Sequence, residues 1–262
     1  MANSASRAVS FLRFRSTPLP SPLPRMDRFF HPDLSPSSFE LLEGEAHHLA
    51  RVLRKAAGES VEVFDGAGGS TVARIADVSK RRVLLERLTE VKVDLVPACR
   101  TRVACAVPKG DRFKWIVEKL TEIGTDELQL LTTERSVVEP GEAKRERLEQ
   151  HVLSACKQCG RNRVLTIHPP VEWTIFARQE SGVLFLADRA GAASASAATV
   201  PREGTVTVAI GPEGGWTDSE RAIARERNAQ AVAFGEYILR VETAAIIGGA
   251  WLERLRSSAP AQ

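Results

Sequence analysis

Two short stretches near the carboxyl end of the chain combine residue types that chemistry uses. The first is Gly211-Pro212-Glu213-Gly214-Gly215, followed by Trp216-Thr217-Asp218-Ser219-Glu220. Three glycines in five residues bare the backbone, so N–H groups can approach a ligand closely. Thr217-x-x-Glu220 has the form of a capping box and marks the start of a helix. The loop is either a tight strand-to-helix turn or one wall of a binding site, and the glycine density favours the site. It is not a dinucleotide fingerprint, because it lacks the GxGxxG spacing and comes late in its domain. No GxxxxGK[ST] is present, so no P-loop is implied, and a nucleoside-like ligand held by backbone stays open. The second stretch runs from Tyr237 to Ala245 and places Arg240 and Glu242 in an apolar context. From composition alone two readings are equal: an ion pair or helix N-terminal acid worth up to about 1 kcal/mol, or an anion clamp built on Arg240.

Other groups carry weaker signals. Cys156-Lys-Gln-Cys159-Gly-Arg161-Asn-Arg163 follows a helical segment bearing Lys144, Arg145 and Arg147. Such a cluster can bind phosphates, though a solvated helix face is the commoner explanation. Lys109, Arg112 and Lys114 form a second basic group beside an aromatic read as core. The CxxC lacks a second close pair or a histidine pair, so no metal is expected, and Cys99, Cys105, Cys156 and Cys159 read as reduced thiols. His47 and His48 lie on an expected helix, one facing solvent and one against the core. No Ser-His-Asp order, HExxH or paired-carboxylate motif emerges.

The elements that must position these groups fall into two textures. From Phe29 to about Pro97 the pattern is short and strand-like, with an Asp65-Gly66 hairpin signal and one amphipathic helix carrying Leu49, Val52 and Leu53. That predicts a small β-barrel of about 70 residues with a packed helix. From Thr101 onward, apolar runs alternate with helical segments, which predicts an α/β domain with a mostly parallel sheet covered on both faces. Ligands of such sheets sit at the carboxyl ends of the strands, here after VLFLAD, TVTVAI and AVAF. Residues 189–204 read as a surface loop. The chain of 262 residues is 43% apolar with a net charge of +3, and no run approaches the roughly 18 apolar residues of a membrane helix, so a soluble protein with no membrane partner is expected. Without the four arginines of residues 1–25 the chain is close to neutral, so a nucleic-acid partner must be argued from local clusters. Residues 1–25 are rich in Ser, Pro and Arg. They read as a disordered extension, with organellar targeting as the alternative.

Four segments read in order resemble one family: MDRFFHP, PKGDRFKWIVEKLTEIGTDELQLLTTERSVV, ACKQCGRNRV, and GPEGGWTDSE with LRVETAA. They look like the RsmE family, ribosomal small-subunit RNA (uridine-N3) methyltransferases of the SPOUT superfamily, over residues 26 to about 257. The resemblance implies a PUA-like RNA-binding β-barrel over 26–96 and a SPOUT methyltransferase domain over 97–262, tied in a deep trefoil knot. It implies a homodimer that takes S-adenosylmethionine and acts in the cytoplasm on small-subunit ribosomal RNA, free or in the assembled subunit. Carried over by position, the cofactor pocket is Leu186, Gly211, Pro212, Glu213, Gly214, Gly215, Leu239, Arg240, Val241 and Thr243. Where the family often has RTETT this chain has Arg240-Val241-Glu242-Thr243-Ala244, which keeps Arg-x-Glu-Thr and drops two hydroxyls. Arg240 and Glu242 are the expected catalytic pair, and Arg28, Arg51, Arg54, Arg161 and Arg163 the expected RNA contacts. A related enzyme acting elsewhere on RNA and a non-catalytic RNA-binding protein are the rivals.

Overall fold

In the first third of the chain apolar and polar residues alternate over short runs, and the backbone forms short strands: β1 (Arg28–Phe30), β2 (Ser38–Glu40), β3 (Ser60–Phe64), β4 (Gly69–Val78), β5 (Val83–Arg87) and β6 (Lys92–Val93). The computed structural model describes residues 26–79, 82–108, 112–136, 142–192 and 200–258, with 142–146 and 190–192 described by backbone alone. The expected N-terminal extension, Lys109 and the side chains of Lys144 and Arg145 lie outside the described residues. The strands follow the order β1-β3-β4-β5-β2, with β6 against β4; β1 runs parallel to β3 and the other pairs are antiparallel. The Asp65-Gly66 hairpin forms as expected. Asp65 Oδ1 accepts the N–H groups of Ala67 at 2.7 Å and Gly69 at 2.8 Å, an Asx turn that stands in for a backbone turn. The inward positions, among them Phe29, Val61, Val63, Ile75, Val83 and Leu85, make one core with Leu49.

The expected amphipathic helix is shorter and wider than its sequence suggests. Helix α1 (Glu43–His47) runs directly into a π turn (His48–Val52), closed by the Leu53 N–H donating to the His48 carbonyl at 3.0 Å. The wider turn breaks the 3.6-residue phase, so Leu49 is buried while Val52 and Leu53 face outward. His47 is exposed, and His48 stands edge-on to Phe29 with ring centroids 6.2 Å apart.

The rest of the chain forms β7 (Cys99–Ala106), α2 (Arg112–Ile123), β8 (Glu127–Thr132), α3 (Glu142–Cys159), β9 (Thr166–Glu172), α4 (Trp173–Gln179), β10 (Val183–Ala192), β11 (Gly204–Ile210), α5 (Asp218–Glu226), β12 (Gln230–Val232) and α6 (Val241–Ser258). Its sheet is wholly parallel in the order β12-β10-β11-β7-β8-β9. Successive residues of the central strands point into different cores. Val103, Cys105, Val208 and Ile210 pack with α2, α3 and α6, whereas Ala104, Leu186 and Ala209 pack with Trp173, Phe176 and Trp216 on the α4–α5 face. Burial on both faces is why these strands read as continuous apolar runs.

Three details depart from expectation. Helix α4 had no clear sequence signal. Strand β9 contains Pro169 and Pro170, tolerated because it is an edge strand bonded only to β8. Strand β10 continues to Ala192 where the loop 189–204 was expected, with an irregular register in which Ala187 and Ala192 both oppose Val232. Residues 193–199 lie outside the described residues. The approach of α6 to the sheet depends on small residues. A Cβ on Gly249 would lie 2.6 Å from Leu120 Cδ2 and 3.0 Å from Thr125 Oγ1, so only glycine lets the helix axis come this near.

Candidate functional site

The carboxyl ends of β10, β11 and β12 converge on a cavity of about 340 Å3, where ligands of open parallel sheets are expected. One wall is Gly211–Trp216 and the opposite wall is Phe234, Gly235 and the segment Tyr237 to Leu239, with Val241 and Ala244 behind. Ala187, Asp188 and Arg189 close it from the end of β10. The volume lies within the range of small-ligand pockets, roughly 300–1,000 Å3.

The bare backbone of the GPEGG wall has an intramolecular reason. A Cβ on Gly211 would stand 2.9 Å from the indole of Trp216, which is pinned by its Nε1–H donating to the Ala187 carbonyl at 3.0 Å and by Trp173 at 4.7 Å between centroids. Gly215 has φ +69°, and its N–H donates to the Pro212 carbonyl at 2.8 Å, closing the turn. The capping box forms as read. Thr217 Oγ1 accepts the Glu220 N–H at 3.3 Å, and Glu220 Oε2 accepts the Thr217 N–H at 2.8 Å. The loop is also braced from the β8 side, where Arg135 Nη1 donates to the Gly214 carbonyl at 2.7 Å. On the far rim Arg221 Nε donates to Asp188 Oδ2 at 2.6 Å.

At one edge of this wall three charges from distant segments meet. Arg112 Nη1, at the start of α2, is 3.7 Å from Glu213 Oε1 and 3.7 Å from Glu242 Oε2. Both distances exceed a hydrogen bond. Glu242 is buried, and its Oε2 has no hydrogen-bond partner among the described residues. A buried carboxylate oxygen left unpaired is unfavourable, so it is poised to accept a hydrogen bond or a proton from a ligand. Burial first, and then the carboxylates of Glu213 and Glu242, push the Cys105 thiol, in the core behind them, far above its ordinary range and keep it neutral. Arg240 is exposed, its carbonyl accepts the Ala244 N–H at 2.9 Å, and its guanidinium has no partner among the described residues.

The structure therefore brings together Gly211, Pro212, Glu213, Gly214, Gly215, Leu239 and Val241. Leu186, Arg240 and Thr243 fall outside the lining. Leu186 is buried in β10 with the Trp173 cluster because its side chain takes the opposite face from Phe185. Sequence reasoning did not name Asp188, Arg221 or Phe234, nor the meeting of Arg112 with both glutamates. The only signal for the first and third was their place at the ends of the runs VLFLAD and AVAF.

Residues 96–253 match the model of an RNA methyltransferase domain, and residues 41–86 that of an RNA methyltransferase PUA domain. The ribosomal RNA small subunit methyltransferase E of Synechocystis sp. (strain ATCC 27184 / PCC 6803 / Kazusa) is 32% identical over 227 residues, which cover 83% of this chain and 73% of that relative. The chain belongs to the ribosomal RNA small subunit methyltransferase E family. A family member from Bacillus subtilis (strain 168) is 27% identical over 79% of this chain and 86% of its own length. The crystal structure of the Neisseria gonorrhoeae member bound to S-adenosyl methionine superposes with a TM-score of 0.77 at 30% identity, covering 88% of this chain and 98% of that one. A Legionella pneumophila methyltransferase with bound SAM gives 0.78 at 28% identity, covering 89% and 98%.

Within this family fold, a SPOUT-type parallel-sheet domain preceded by a PUA-like barrel, the five arginines expected to meet RNA separate into two groups. Arg51 and Arg54 are exposed on the barrel, at and just beyond the π turn. Arg28 and Arg161 are turned inward. Arg28 stacks over Phe64 at 4.8 Å, pairs with Glu62 at 3.3 Å, donates to the Cys156 carbonyl at 2.8 Å and bonds Asn162 Oδ1. Arg161 donates to the Thr121 carbonyl at 3.1 Å, and desolvation lowers its pKa. Arg163 packs on Gly68, and its backbone bridges the hairpin, the Val164 N–H donating to the Gly66 carbonyl at 2.9 Å. The CKQCGRNR segment thus fastens the barrel to α3, with Lys157 pairing Glu45 at 2.6 Å. Its cations are engaged by the Thr121 carbonyl of α2, the Glu45 carboxylate of α1 and the Asp94 carbonyl, which charge counting along a sequence does not reveal. In the second basic group Phe113 is core, as read, but Trp115 is 53% exposed.

Among the described residues no three His, Cys, Asp or Glu side chains form a metal-sized group, and no helix is long and apolar enough to cross a membrane.

Proposed function

We propose that this protein transfers a methyl group from S-adenosylmethionine to N3 of a uridine in small-subunit ribosomal RNA. The observation that carries this reading is the buried Oε2 of Glu242, without a hydrogen bond among the described residues and held near the Arg112 guanidinium beside the cavity. The cavity suits the methyl donor. Gly211–Gly215, Leu239 and Val241 offer backbone and apolar surfaces, and the space is of the right size for a nucleoside with an amino-acid tail. S-adenosylmethionine, when bound, supplies an activated methyl group on a sulfonium centre.

The uridine N3 carries a proton at neutral pH, so a protein group must accept it or a cation must stabilise the anion left behind. Glu242 Oε2 is the acceptor, because it is buried and has no competing hydrogen bond. Arg112, near Glu242, and Arg240, exposed at the surface, supply positive potential to the uracil oxygens. Orientation of the two reactants between the cavity walls supplies the larger share of the rate.

The finer organisation follows from the same reading. Residues 26–96 act as the RNA-binding barrel and 97–262 as the methyltransferase domain. The run from β12 at the sheet edge back to α6, which packs on the central β7 and β11, supports the knotted path of the family. Tyr237 and Ile238, 82% and 77% exposed on the cavity wall, support a homodimer in which a second copy covers them. The ribosomal RNA substrate and the free thiols of Cys99, Cys105, Cys156 and Cys159 support a cytoplasmic site of action.

Two measurements test the proposal. Titration calorimetry should show S-adenosylmethionine binding to the isolated protein. Nucleoside mass spectrometry should find 3-methyluridine in the small-subunit RNA of cells that have the protein and not in cells that lack it. Absence of binding would favour a non-catalytic RNA-binding protein, and a different modified nucleoside would move the reaction to another position.

A further inference from the structure

Helix α2 buries Phe113, Ile116, Val117, Leu120 and Thr121 along one stripe. Trp115 falls off that stripe and is 53% exposed, whereas Trp173 and Trp216 are 1% and 2% exposed. A large aromatic left in water gains nothing for the fold and is a ready contact surface. Around it lies a shallow concavity of about 380 Å3 lined by Arg112, Lys114, Trp115 and Glu118. Lys114 is only loosely paired, 3.6 Å from Glu118 Oε1. Arg112 stands three residues before Trp115, a spacing that puts both on adjoining parts of the helix surface, and its guanidinium reaches Glu213 and Glu242. The exposed indole is therefore about one helical turn from the arginine whose guanidinium reaches the carboxylate assigned to the uridine.

We propose that Trp115 is the stacking platform for the nucleotide base next to the target uridine, with Lys114 holding an adjoining phosphate. This rests on the methyl-transfer reading of the neighbouring cavity. An aromatic face beside cations binds single-stranded nucleic acid by stacking plus charge, and tolerates any base. Such a contact on the target's neighbour holds the uridine unstacked and aimed at Glu242. Charge complementarity argues for this occupant: Lys114 is only loosely paired and the Arg112 guanidinium stands 3.7 Å from each of its carboxylates, so both cations keep donors for a phosphate.

The test uses the full chain and a small-subunit ribosomal RNA transcript, with Trp115→Ala and Trp115→Phe. Trp115→Ala is expected to raise the KM and the Kd for RNA about tenfold, the scale of one lost stack, with kcat within about twofold. Trp115→Phe should retain most of the affinity. S-adenosylmethionine binding by calorimetry should not change. An abasic nucleotide beside the uridine methylated by the wild type should weaken binding as much as Trp115→Ala, and the two changes together should cost no more than either alone. Unchanged RNA affinity in Trp115→Ala, additive losses with the abasic RNA, or conversion of a dimer to monomers by the substitution would overturn the platform. Because the Kd is read without turnover, a wild type that binds RNA through Trp115 yet transfers no methyl group would refute the catalytic reading alone.

Discussion

Replacing Glu127 with Gln tests whether the charge network of the central sheet stabilises the fold as its geometry implies. Glu127 opens β8 and is almost fully buried. His168 Nε2 donates to its Oε2 at 3.0 Å, Arg102 lies at 2.6 Å and Arg100 at 3.3 Å. Arg102 also reaches Glu180 at 2.5 Å, and Glu180 accepts the Thr207 hydroxyl at 3.1 Å, so β7, β8, β9, β11 and the end of α4 are fastened together. The hydrogen bond from His168 first, and then Arg102 and Arg100, outweigh desolvation and hold the Glu127 carboxyl at about 2, against an ordinary value of 4.5. At 1.36 kcal/mol per pH unit that depression corresponds to about 3 kcal/mol of stability. It lies at the lower edge of the roughly 3–5 kcal/mol lost when one member of a buried ion pair is removed. Because the folded-state value is the lower one, this stability is fully present above the unfolded value and is lost as pH falls from about 4.5 toward 2. Glutamine is neutral throughout, so the wild type minus Glu127→Gln difference isolates the effect while other titrations cancel. In urea unfolding the gap should be about 3 kcal/mol at pH 7, shrink below pH 4.5 and approach zero near pH 2. A gap as large at pH 3 as at pH 7, or under about 1 kcal/mol at pH 7, would show that Glu127 does not act through its charge.

Three further outcomes follow from the geometry. Gly249→Ala places a methyl group 2.6 Å from Leu120 Cδ2; overpacking costs about 1–3 kcal/mol against a helix-propensity gain of up to about 1 kcal/mol, so thermal unfolding should show net destabilisation. Arg240→Ala should abolish methyl transfer while circular dichroism and S-adenosylmethionine binding stay near wild type, since the side chain is exposed and has no partner among the described residues; near-normal turnover would remove Arg240 from the mechanism. Arg51→Ala with Arg54→Ala should weaken RNA binding across sequences and reduce the salt slope by up to about two phosphate contacts, whereas Arg28→Ala should lower the melting temperature instead, because its donors hold the barrel to α3.

The positions of most elements were legible in the sequence because the forces that set them are local. The Asp65-Gly66 turn and the Thr217–Glu220 capping box depend on side chains within four residues of the backbone they satisfy. The parallel sheet was legible because strands buried on two faces must be continuously apolar. The GPEGG and LRVETAA motifs pointed to the family that the comparisons then showed. Local pattern failed where a local rule was overridden: the π turn at His48–Val52 put Val52 and Leu53 outside, and an irregular register carried β10 on to Ala192, past the expected start of a loop. What only the tertiary structure decided is the partner of each charge and aromatic ring. Arg28 and Arg161 read as RNA contacts but face inward, because α3 returns against the barrel, where its Cys156 carbonyl takes the donor of Arg28, and the turn after α3 meets α2, whose Thr121 carbonyl takes that of Arg161. Arg112 gained a place beside Glu213 and Glu242 because α2, the β11 loop and α6 begin at the same end of the sheet. Charge is a property of a residue, but its use depends on which distant segment crosses it, and that crossing is made only when the sheet assembles.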